Sequence, residues 1–317
     1  MSQAHETSLP LAPSGTRRPQ HRSASSRLVA GPVPWLLPAV LMIGLFYLVP
    51  ILDALRLAFT DASLLGGDIT YGTTSFAAVA SDPAMPVVLA NTVIFALAAV
   101  TGQVLAGLGI ALLVVRGERH RLPGMLALRT VVLIAWVVPG VANGLIWQLL
   151  FSEAPFGAIN STLRLIGIPA VAWLSNPSIA MVSVVIASIW QGTAFSMIVL
   201  YAARKSVDET LYEAAAVDGA TAIEQFFFIT LPQIRAALLV NAILVTIQML
   251  NAFDTIIALT GGGPGRATEV LSLFTYKMVF SNQELGRGSV LAILLLFISL
   301  ALALVYSLFL PRQEDAA

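Results

Sequence analysis

Six long apolar stretches decide what this chain can fold into. They run over about residues 33–59, 87–115, 128–151, 178–203, 234–259 and 289–310, and each reaches the roughly 20 residues that carry a helix across about 30 Å of hydrocarbon. Apolar residues make up 57% of the chain and charged residues only 11%, with a mean hydropathy of +0.86. Soluble domains carry roughly 25% charge, so a water-facing shell cannot be assembled from what remains. An outer-membrane barrel would need strands that alternate polar and apolar residues, whereas residues 291–302 are apolar on every side. The expected class is all-α, a polytopic membrane protein with six transmembrane helices.

Lysine and arginine placement orients the spans. With both termini inside, the inner segments hold Arg17, Arg18, Arg22, Arg27, Arg116, Arg119, Arg121, Arg129, Arg204, Lys205, Arg235 and Arg312, which is 12 of the 17 basic residues. The outer segments hold Arg56, Arg164, Arg266, Lys277 and Arg287. An inner excess of basic residues places both termini in the cytoplasm. Residues 1–30 are rich in Ser, Pro and Arg and read as a flexible tail. The apolar segment that follows is too long for a cleaved signal core, so a retained first helix is expected.

Several chemistries are excluded. The chain has no cysteine, which removes disulfides, thiol catalysis and Cys-ligated metals. His5, His21 and His120 lie in polar segments without ligand spacing. A phosphate-cradling Walker A loop needs Gly before Lys, yet Lys205 and Lys277 follow Arg204 and Tyr276. The chain cannot bind a nucleotide in that way, and the Gly261-Gly262-Gly263-Pro264-Gly265 run, on the outer side and without a lysine, reads as a turn.

Between the fourth and fifth stretches lies a polar island. Ser206 with Glu209 and Thr221 with Glu224 both have capping-box spacing, which implies two short helices. Gly219 between them permits the left-handed residue that ends the first, and Pro232 blocks continuation near the fifth span. Leu211, Ala214, Ala215 and Asp218 share one side of the first helix. Small side chains there let another backbone come close, and Glu213 offers a charge to a partner's arginine.

Leu211-Tyr212-Glu213-Ala214-Ala215-Ala216-Val217-Asp218-Gly219-Ala220, followed by Leu231-Pro232, resembles the cytoplasmic signature of permease subunits of carbohydrate ABC importers, the maltose-type branch of binding-protein-dependent transport. Asp82-Pro83 with Asn91-Thr92, Phe156-Gly157 with Asn160, Trp173-Leu174-Ser175 and Leu259-Thr260-Gly261-Gly262-Gly263-Pro264 extend the likeness over roughly residues 30–310. Val207 and the Arg204-Lys205 pair stand where such permeases often have Pro and uncharged residues, and Ala236 where many have a second Pro.

The resemblance implies a type I importer permease (MetI-like) fold over residues 31–311, with a coupling segment at 204–232 and a short tail at 312–317. It implies that Glu213, Ala214, Ala215, Asp218 and Gly219 couple to an ATPase. It also implies a location in the bacterial cytoplasmic membrane, in contact with membrane lipid, and as partners a second related permease, two ATPase subunits, an external solute-binding protein and a carbohydrate-like solute; nothing in the charge pattern points to nucleic acid. ATP and magnesium would be held by the ATPase, and this chain would need no cofactor.

Polar groups that interrupt apolar spans mark the solute path, because an unsatisfied polar group facing lipid is costly. Candidates are Asn143, Trp147 and Gln148 on the third span, Trp190 and Gln191 on the fourth, and Gln248, Asn251 and Asp254 on the fifth. An amide can equally bridge two helices, worth about 0.6 kcal/mol, and Trp can mark the membrane interface. Pro139-Gly140 breaks the third span and frees backbone groups that protein or a wet cavity must satisfy. The alternative is a secondary transporter driven by an ion gradient, with Asp254 titrating. A membrane enzyme ranks last, since no HExxH, Cys nucleophile or intramembrane His is present.

Overall fold

The computed structural model describes residues 33–309. The expected tails, with His5, His21, Arg17, Arg18, Arg22, Arg27 and Arg312, lie outside the described residues. In chain order the helices are α1 (Trp35–Ala58), α2 (Thr74–Ala80), α3 (Met85–Arg119), α4 (Met125–Val137), α5 (Gly140–Leu150) and α6 (Ala158–Leu165). They continue with α7 (Pro177–Lys205), α8 (Glu209–Val217), α9 (Ala222–Asn251), α10 (Asp254–Leu259), α11 (Leu271–Phe280) and α12 (Leu285–Leu308). Among the described residues β pairing is limited to the isolated bridges Thr60–Tyr71 and Ser63–Glu284.

Five of these helices, α1, α3, α7, α9 and α12, are long and apolar enough to cross a membrane, and the bent pair α4 and α5 gives a sixth when the two are taken as one broken span. An apolar helix or helix pair lies in each of the six expected stretches, but two differ in form. Pro139 turns the third by 104° between α4 and α5. The fifth stretch is not one helix to residue 259: α9 ends at Asn251, Ala252 is extended (φ −72°, ψ 113°), and α10 starts afresh at Asp254. Pro232 also fails to separate the coupling segment from the span. It sits in the first turn of the helix that starts at Leu231, where its missing N–H is harmless, and a π-helical turn over Phe226–Thr230 joins that helix to Ala222–Gln225.

The chain divides into two compact units after Leu52. The part of α1 up to Leu52 belongs to the first and carries Pro38 and a π-helical turn at Gly44–Leu48. In the second, α3 and α7 form the central pair. Ala99 and Ala111 on α3 and Ala187 and Ala194 on α7 are fully buried, as expected where small side chains let transmembrane helices approach closely. Helices α4 and α9 pack against this pair, α10 against α5, and α11 against α12.

Candidate functional site

The two helix breaks face each other. At the first, Val138 is extended and its carbonyl, freed by Pro139, accepts from Gln191 Nε2 at 2.7 Å. The Gly140 carbonyl accepts from Thr255 Oγ1 at 3.1 Å. Fully buried Asn143 points its amide at Ala187 O (3.3 Å), Gln191 Oε1 (3.1 Å) and Thr255 Oγ1 (3.4 Å). Backbone groups released by the breaks are thus re-satisfied by side chains of neighbouring helices, the condition for non-helical backbone at membrane depth.

Between the breaks opens a cavity of about 460 Å³, walled by Trp136, Gln191, Gln248, Asn251, Phe253 and Asp254 among others. Asp254 is the one ionisable side chain among those lining it. Its carboxylate lies directly over Gly140, where an added methyl group would collide with it. The glycine of the Pro139-Gly140 break therefore makes room for the acid.

The expected pathway residues separate into two groups. Gln191, Gln248, Asn251 and Asp254 line the cavity. Asn143 is the buried tie just described. Gln148 Nε2 lies 3.5 Å from Leu259 O, and Trp147 packs against Phe151 at 5.0 Å and Trp190 at 6.0 Å between ring centroids; none of these four lines the cavity. Asp254 stands on α10 rather than on the fifth span, because the chain unwinds at Ala252. Trp136 and Phe253 also line the cavity; the nearness of Trp136 to Pro139, three residues on, is the one sequence signal that points to it.

The polar island folds as a helix, a sharp turn and a second helix. The cap of α8 is Asp208, which accepts from Thr210 N at 2.9 Å; this backbone hydrogen bond holds its carboxyl below the usual aspartate value. Ser206 does not form the expected capping box with Glu209. Its hydroxyl donates back to Ala203 O at 2.8 Å, and Glu209 instead pairs with Arg204 at 3.2 Å and Arg119 at 3.4 Å. The second box, Thr221 with Glu224, forms in both directions.

Gly219 has φ +84°, and Gly219 N donates to Ala216 O (3.1 Å) while Ala220 N donates to Ala215 O (2.9 Å). This is the Schellman pair that satisfies the last carbonyls of a helix. Tyr212 roots α8 in the bundle. It is 4% exposed, its hydroxyl lies 2.9 Å from Thr230 Oγ1, and the Arg204 guanidinium stacks 3.9 Å over its ring. Val207, also buried, joins Leu108, Met197, Leu200 and Ile234 beneath it. Two of the unusual residues, Val207 and Arg204, thus serve to fasten α8.

The other face of α8 is bare. Glu213, Ala214, Asp218 and Gly219 are exposed and Ala215 partly so. No cation lies within ion-pair distance of Glu213 among the described residues. Val217 and Ile223, 88% and 71% exposed, flank the turn.

The remaining motifs of the resemblance are structural ties. Asn91 Nδ2 donates to Arg266 O at 2.7 Å, and Thr92 Oγ1 accepts from Leu271 N at 2.8 Å. Asn160 Oδ1 accepts from Val171 N (2.9 Å) and Trp173 Nε1 (3.1 Å). Buried Glu269 binds Lys277 at 2.8 Å and Arg266 at 3.1 Å.

Comparison with known proteins places this elbow, and the span that runs from it to the polar cavity, inside the region matched by one protein-family model. Residues 103–315 fit the model of the inner-membrane component of binding-protein-dependent transport systems. The chain belongs to that family. Among its relatives, the trehalose/maltose transport system permease MalF of Thermococcus litoralis is 38% identical over 215 residues, covering 68% of this chain and 71% of the relative. The sulfoquinovosyl glycerol transport system permease SmoG of Agrobacterium fabrum is 32% identical over 282 residues, 88% of this chain and 90% of the relative. A solved bacterial ABC transporter involved in alginate import has a chain with a TM-score of 0.75 at 21% identity, covering 89% of this chain and 95% of that one; that likeness speaks to the fold. The chain is therefore an ABC importer permease with the expected membrane fold, and nothing in these likenesses supports transport driven by an ion gradient.

Proposed function

We propose that this permease forms half of the translocation pathway for a sugar or sugar-like solute, and that the cavity between the two helix breaks is where the solute passes. The observation that carries this reading is the wall of that cavity: amides of Gln191, Gln248 and Asn251, the carboxylate of Asp254 and the rings of Trp136 and Phe253. Amides and a carboxylate exchange hydrogen bonds with hydroxyls, and flat rings cover the C–H patches of a sugar. The names of the relatives, several of them sugar transporters, support the same class of solute.

Work enters at α8. The bare face carrying Glu213, Ala214, Ala215, Asp218 and Gly219 is the docking surface for an ATPase, and exposed Val217 and Ile223 extend it, since exposed apolar groups rimmed by polar ones mark partner contacts. Tyr212 and the Arg204–Glu209 pair hold the helix stiffly against the bundle. Shifting an inward-facing population from 99:1 to 1:99 requires about 5.5 kcal/mol of differential binding, which closure of two ATPase subunits around ATP and magnesium supplies. A second related permease completes the pathway and an external binding protein delivers the solute. The termini and α8 face the cytoplasm of a bacterial cell, in agreement with the basic residues gathered at that end.

The test is reconstitution of the complete importer in liposomes with the binding protein and labelled solute. Uptake that requires ATP and persists when ion gradients are collapsed is expected. Uptake that survives ATP depletion and stops with the ion gradient would overturn the reading.

A further inference from the structure

We propose that the permease carries a binding site for a phosphate-bearing anion at the base of α8, and that its ligand is the head group of an anionic phospholipid. A second cavity, of about 440 Å³, opens there between the end of α3, the end of α7, α8 and the start of α9. Its basic wall is Arg116, Arg119, His120 and Arg204, and its apolar wall includes Leu112 and Phe226.

The charge is not neutralised within the chain. Glu209 is the carboxylate that reaches these arginines, at 3.2 Å from Arg204 and 3.4 Å from Arg119. Against three guanidinium groups it leaves two positive charges uncompensated before His120 is counted. Arg116 has no carboxylate within ion-pair distance among the described residues. Glu224, the carboxylate in the first turn of α9, is turned into its capping box with Thr221. Arg204, 6% exposed and stacked on Tyr212, is held in place, so part of the basic wall is preorganised.

Depth selects the ligand. Helix α3 has 35 residues and is about 52 Å long at 1.5 Å per residue, more than the roughly 40–45 Å of a whole bilayer with its head groups. Its apolar run ends at Val115 and is followed directly by Arg116-Gly117-Glu118-Arg119, the change from apolar to basic sequence at which lipid phosphates meet the ends of spans. A cavity with an apolar floor below that line and a basic rim above it suits an acyl-bearing phosphate better than a free ion. Basic pockets between transmembrane helices at this depth are the setting in which anionic head groups bind.

The test uses the full chain with the subunits that co-purify, equilibrated with phosphatidylglycerol and phosphatidylcholine in equal amounts, with retained lipid counted by native mass spectrometry. The wild type should retain phosphatidylglycerol in preference, Arg116→Glu should lower that retention roughly fivefold or more, and Arg116→Lys should keep it. If the Arg116→Glu complex does not assemble, a photoreactive phosphatidylglycerol on the wild type decides: labelling within residues 112–120 supports the site, and labelling confined elsewhere overturns it. Inorganic phosphate added to lipid-free protein separates the sources. Stabilisation of the wild type but not of Arg116→Glu by phosphate, without preferential lipid retention, would keep the anion site and overturn the lipid assignment. Equal lipid retention in both proteins with no phosphate effect would overturn the site itself, as would a cross-linker at position 116 that captures an ATPase subunit.

Discussion

Gly219 offers the sharpest separation of backbone from side-chain effects at the ATPase-docking elbow. Its φ is +84°, and no atom lies within 4 Å of a Cβ built on it, so a substitution meets open space and any penalty comes from the left-handed backbone alone. That conformation costs an ordinary residue about 1–2 kcal/mol, is worse for a β-branched one, and is tolerated by Asn. With about 1.4 kcal/mol per tenfold change, Gly219→Ala should lower solute-stimulated ATP hydrolysis in liposomes roughly tenfold, Gly219→Val further, and Gly219→Asn by no more than about twofold. Membrane insertion should be the same for all three, and co-purification of the ATPase should fall in parallel with hydrolysis. If Asn proves as damaging as Val, or if Val matches the wild type in both assays, the Schellman turn is not what positions α8.

Three further outcomes are expected. Asp254→Asn removes the charge that strengthens hydrogen bonds to solute hydroxyls, a difference of about 1 kcal/mol or more, and should reduce uptake roughly fivefold or more while the ATPase still co-purifies; unchanged uptake would take Asp254 out of the pathway. Asn143→Leu removes the amide shared by Ala187, Gln191 and Thr255 and should destabilise the chain by about 1–3 kcal/mol, seen as earlier thermal unfolding; an unshifted melt would contradict its role as a tie. The carboxyl of Asp208 is held below its ordinary value, so its contribution to α8 is present above the unfolded value of about 3.9 and is lost as pH falls through the lower folded value. Proteolysis at residues 206–221 should rise only in that acid range, and the rise should vanish in Asp208→Asn.

Much of this was readable from the residues, and the misses have local causes. Long apolar stretches force helices whatever their partners, and a Gly at the end of a capped helix has few other uses, so the spans and the Gly219 turn could be located. The spacing of Ser206 to Glu209 pointed to Ser206 as the cap of α8, but Asp208, two residues on, takes that place, because Arg204 and Arg119 draw Glu209 away. The break at Ala252-Phe253 carries neither Gly nor Pro and left no mark in the sequence. Helices buried among other helices show no polar face, so nothing in the pattern told the tie made by Asn143 from the cavity-lining role of Gln191.

The π-helical turn at Phe226–Thr230 makes α9 a single strut from the elbow to the cavity. Thirty residues span about 43 Å between the first and last Cα, so a tilt of about 5° at Ala222 sweeps Asn251 through almost 4 Å, more than the length of a hydrogen bond. With that gearing, modest rocking at the membrane surface is enough to trade one set of solute contacts for another.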